Sequence, residues 1–162
     1  MNEKAAEAII TLFKSGYTCD PDPPYPGGLQ GFEQDLKQMF SQYFDPAHVE
    51  AEFALPTDFQ EFLLAIDGSF YKRNWASVFA MESILSNTKY QLKLWEPEGE
   101  PHLMWIEVGN WSDKHQLIMC VNRSDAYFGK VLDLHDDHPY CNENFDPDEE
   151  WPGIYSYLEC PN

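Results

Sequence analysis

The sequence predicts an α+β domain with N-terminal helices, a central and mainly antiparallel sheet in meander order, and a closing C-terminal helix. Three observations carry that expectation. Apolar residues recur at spacings of three and four through much of residues 3–66. Three short apolar segments then follow closely, LMWIEVG (103–109), HQLIMCVN (115–122) and GKVLDLH (129–135), joined by turn-rich connectors. An aromatic stripe at helical spacing comes last, over residues 148–159. Helices gathered ahead of a sheet, without regular alternation, favour segregated layers over a doubly wound fold.

Residues 3–15 predict a first helix, with Ala5, Ala8, Ile9, Leu12 and Phe13 on one side and Gly16 near its stop. CDPDPPYPGG (19–28) is too rich in proline and glycine for a helix or a central strand. Residues 1–28 therefore form an N-terminal helix and loop ahead of the main body, 29–162, in one globular unit. A second helix over 29–43 presents Leu29, Phe32, Leu36, Met39, Phe40 and Tyr43. The third lies in LPTDFQEFLLAIDG (55–68). Thr57 and Gln60 have capping-box spacing, Phe59, Phe62, Leu63 and Ile66 form the buried stripe, and Gly68 suits a left-handed stop. WASVFAM (75–81) alternates enough for a strand, ESILSNTKYQLKLW (82–95) is helical, and EPEGEP (96–101) breaks the chain. The three strands follow, with NWSDK and RSDAYF as connectors, then polar loop over 136–144. In the last helix, Trp151, Ile154, Tyr155 and Leu158 share a face, which requires Pro152 to lie in the first turn.

Composition narrows function more than any motif does. The 162 residues include 28 acidic and 10 basic ones, for a net charge of −18. Such a chain repels nucleic acid and anionic lipid and attracts a cationic partner. The hydrophobic fraction of 43%, with 15% aromatic residues, supplies a substantial core. No apolar run approaches the roughly 20 residues of a membrane span. The opening MNEKAAEAIITLFK lacks the basic region of a signal peptide. Cys19, Cys120, Cys141 and Cys160 form no C-x-x-C pair, so a reduced, cytoplasmic protein is expected.

The helix LPTDFQEFLLAIDG resembles the signature of the SUKH superfamily, with Asp67-Gly68 where that family more often has Asn-Gly. ESILSNTKY, preceded by a strand, resembles the family's next element. WIEVGNWSDKHQLIMCVNRSDAYFGKVLDLHDDHP is similar to its sheet, and WPGIYSYLE to its closing aromatic helix. The resemblance spans about residues 30–160. It implies a bacterial immunity protein that binds and neutralises a toxin, often a nuclease, or a regulatory binding protein of the same fold. It also implies that the signature helix is scaffold and that specificity belongs to the variable surface.

Catalytic motifs are weak by comparison. In DLHDDHP (133–139), His135, Asp136, Asp137 and His138 are metal-capable, with Cys141 nearby and Asp113 and His115 within reach of a meander. The two histidines stand three apart where a strand gives way to loop, unlike a zinc helix or C-x-x-C site. A turn is the plainer reading, and a small metal-dependent hydrolase using His115, His135 and His138 is the alternative from another class. No G-x-S-x-G or phosphate loop occurs, and Cys120 reads as a small apolar group in a buried strand. We therefore expect neither catalytic residues nor a cofactor.

The acid distribution is the main functional clue. Residues 131–162 hold nine acids and no lysine or arginine, so one fifth of the chain carries half the net charge. Clustered like charge destabilises the compact state, and a basic partner relieves that repulsion. The expected binding residues are Asp113, Asp136, Asp137, Asp146, Asp148, Glu149 and Glu150, with turn aromatics Trp111 and Tyr140 as anchors. Their expected partner is a basic toxin domain.

Overall fold

The computed structural model describes residues 3–14, 16–21, 23–66, 68–72, 77–95, 104–110, 115–135 and 149–159. In chain order the elements are α1 (Glu3–Lys14), β1 (Tyr17–Pro21), α2 (Gly28–Phe40), α3 (Pro46–Glu52), α4 (Thr57–Ala65), β2 (Gly68–Lys72), β3 (Ser77–Val78), α5 (Met81–Trp95), β4 (Trp105–Asn110), β5 (His115–Cys120), β6 (Val131–His135), β7 (Glu149–Trp151) and α6 (Ile154–Leu158). The seven strands make one sheet in sequence order. Every neighbouring pair is antiparallel. The molecule is thus α+β with a meander sheet, as its patterning predicts.

The helix stripes bury as their spacing requires. Phe32, Leu36, Met39 and Phe40 of α2 join Phe59, Phe62 and Leu63 of α4 in one core with the sheet. The capping box does not form. Pro56 occupies the N-cap position without a side-chain bond, and Thr57 is already the first helical residue. The Gln60 amide instead donates to the Leu55 carbonyl at 2.7 Å. At the other end Ile66 turns extended and Gly68 opens β2, so the glycine starts a strand where a left-handed stop was expected.

The closing segment also differs. Residues 149–151 pair with β6, and the helix begins only after Pro152, at Ile154. Trp151 is buried as a strand residue, its ring edge-on to Tyr157 of α6 at 4.9 Å. Of the expected strand over 75–81, Ser77–Val78 is strand and Met81 already begins α5, while residues 75 and 76 lie outside the described residues. Sequence reading misses β1, β2, β7 and α3. β1 is an edge strand and ends at Pro21, a position at which a sheet tolerates proline. In α3, Pro46 takes the first turn and Asp45 caps it, accepting from the Ala47 N–H at 3.1 Å.

Register assigns the sheet's two sides. Ile106, Met119 and Val131 share a side with Trp151, and Leu117 with Asp133. Trp151 meets α6, so this is a helix-facing side. The opposite side carries Trp105, Glu107, Ile118, Cys120 and Leu132, all buried. A bulge between Glu107 and Gly109 re-aims the end of β4. There the β3 backbone comes so close that a Cβ on Gly109 would lie 1.9 Å from the Ser77 carbonyl oxygen. Only glycine fits that approach.

Candidate functional site

Of the residues expected to bind a partner, the described structure includes Glu149 and Glu150. Both are exposed on β7, the last strand of the sheet. As consecutive strand residues they project to opposite sides: Glu149 stands opposite Asp133 and Glu150 opposite Leu132. They therefore do not make one acidic face. Trp111, Asp113, Asp136, Asp137, Tyr140, Asp146 and Asp148 lie outside the described residues, as do His138 and Cys141.

Asp133, one of the nine C-terminal acids, does not belong to the surface. It is 2% exposed, and its Oδ1 lies 2.7 Å from Nδ1 of His115. That contact spans β5 and β6, where His115 and His135 occupy facing register positions. Among the described residues, no group of three or more His, Cys, Asp or Glu side chains is arranged to hold a metal ion. Burial pushes the Cys120 thiol up to about 12, so it stays protonated and unreactive at neutral pH.

The loop between β5 and β6 is held in shape by its own hydrogen bonds. Asn122 and Asp125 each fold it locally: Ser124 N–H donates to Asn122 Oδ1 at 3.1 Å, and Tyr127 N–H to Asp125 Oδ1 at 2.8 Å. Gly129, at φ 80°, takes the left-handed turn that returns the chain to β5, where its N–H meets the Cys120 carbonyl at 3.1 Å. Arg123 anchors the loop to the α3–α4 connection by donating to the Phe53 carbonyl at 3.0 Å. Ser124 also donates to the Glu52 carboxylate. On this frame Tyr127 is held out at 39% exposure, its ring 6.0 Å from that of buried Trp105. Lys130 Nζ stands 5.0 Å from the Tyr127 centroid and 3.7 Å from Glu150 Oε1. The sequence places Tyr127 in a turn but does not show its support, because Trp105 lies 22 residues away on β4.

Sequence reasoning also passes over Glu107. Its residue is 6% exposed and its Oε2 has no hydrogen-bond partner among the described residues. Burial alone pushes its carboxyl up to about 7. Its backbone N–H donates to Thr88 Oγ1 of α5 at 3.0 Å, at a stretch of β4 beyond the two residues that β3 pairs. A second carboxyl, Asp58 at the start of α4, is also raised, mainly by burial. Bonds from the Phe59 and Ile154 backbone oppose that shift and tie α4 to the start of α6.

No family model, no curated protein and no solved structure matches the chain. No helix among the described residues is long and apolar enough to cross a membrane.

Proposed function

We propose that the protein is an immunity-type binding protein of SUKH resemblance, acting in the cytoplasm without catalysis or cofactor. It neutralises a cognate toxin domain by covering that domain's working surface. The observation that carries this reading is the acid-only final fifth of the chain, nine acids without one lysine or arginine. A nuclease must attract phosphates and so presents the complementary basic surface. Glu150 supports the reading as an exposed acid on the edge strand, while buried Asp133 withdraws one charge from the surface. An acidic edge strand also discourages pairing with stray strands.

The test is co-expression with the products of neighbouring genes. A stable complex with a toxin domain, and survival of cells that otherwise die, is the expected result. A complex with an endogenous non-toxic protein instead would identify an adaptor. Stoichiometric metal with hydrolytic activity would point to the His115, His135 and His138 alternative.

A further inference from the structure

We infer that the loop at residues 122–130 is a docking surface, and that Tyr127 and Glu150 together receive an arginine side chain from a cationic protein partner. The partner's charge rests on the proposed toxin-binding reading; the location rests on the loop's own geometry. Exposed tyrosine is effective in an interface when it is already rigid, because little freedom is lost on docking. Tyr127 meets that condition through its backbone bond to Asp125 and its contact with Trp105.

The seat already shows what it accepts. Lys130 sits between an aromatic ring and a carboxylate, 5.0 Å from the Tyr127 centroid and 3.7 Å from Glu150 Oε1. Both the Lys130 and Glu150 side chains are well exposed, at 37% and 49%, so their pairing is weak. A guanidinium is less strongly hydrated than an ammonium, stacks flat on a ring and bonds a carboxylate through two N–H groups. It can therefore displace the Lys130 head group, which is free to swing into water on its flexible stem. Asp125 of the loop and Glu52 of α3, which accepts from the loop's Ser124, add negative charge here, while the Arg123 guanidinium is turned to the Phe53 carbonyl.

The probe is a nona-arginine peptide, titrated into the intact protein and followed by NMR at the side chains of Tyr127, Lys130 and Glu150. The expected result is movement of these resonances at the lowest peptide concentrations. Tyr127→Leu should weaken binding about two- to fivefold, the worth of one exposed cation–aromatic contact. Tyr127→Phe should bind as the parent does. Lys130→Gln should tighten binding more than Lys93→Gln, which removes the same charge from α5. Resonance changes confined to other surfaces, or equal gains from the two lysine substitutions, would overturn the inference. Comparison with a toxin complex separates the two proposals. Toxin binding unaffected by Tyr127→Leu removes this surface and leaves the immunity reading. A Tyr127 footprint without any toxin partner does the reverse.

Discussion

At residue scale, Glu107 makes the sharpest claim, because a buried carboxyl whose Oε2 has no partner among the described residues costs far more charged than neutral. Its folded value near 7 lies above the ordinary 4.5, so between those values the folded chain retains a proton that the unfolded chain has lost. The group's contribution to stability is therefore fully present below about pH 4.5 and is lost as pH rises through about 7. Glu107→Gln should stabilise the protein at pH 8 by on the order of 2–3 kcal/mol and have little effect at pH 4.5. Urea denaturation of both proteins at the two pH values checks this. An unchanged difference between them would show that Glu107 ionises normally. The glutamate is plain to see in WIEVG, but its burial is not. An alternating strand normally sends such a residue to water, and only a sheet covered on both sides leaves it nowhere to go.

At the scale of elements, α4 separates what periodicity conveys from what it does not. Phe62 is 1% exposed, and Phe62→Ala should cost about 3–5 kcal/mol in denaturant unfolding. The stripe was legible because spacing alone dictates which side of a helix is buried. The cap was not, since Thr57 suits the N-cap position as well as the first helical one, and only the entering chain decides between them. Thr57→Ala should accordingly change stability by less than ~0.5 kcal/mol. Gln60→Ala, which removes the bond to the Leu55 carbonyl, should cost about 1 kcal/mol. Equal losses in the two variants would restore the capping box. The missed strands share a different cause. β1, β2 and β7 are short, and their partners, not their own patterns, make them strands. Gly109 shows that dependence: Gly109→Ala should loosen the β3–β4 pairing, seen as faster amide exchange at Phe79, whose N–H donates to the Val108 carbonyl.

For the whole molecule, charge is legible in sequence while its arrangement is not. Register divides Glu149 from Glu150 and buries Asp133 beside His115, so these three acids do not share one exposed face. The aromatic anchors read from the sequence, Trp111 and Tyr140, lie outside the described residues, whereas Tyr127 emerges only once the loop's contact with Trp105 is known. If acidity steers a cationic toxin, charge should govern encounter and an anchor should govern residence. Trp111→Ala should then speed dissociation and leave association nearly unchanged. The most direct test is the association rate of the purified toxin with the parent protein and with Asp136→Lys/Asp137→Lys, measured across salt concentrations. Association should slow about tenfold at low salt, with dissociation little affected, and the difference should shrink as the screening length falls toward ~8 Å. Association rates that are the same for both proteins at every salt concentration would contradict it.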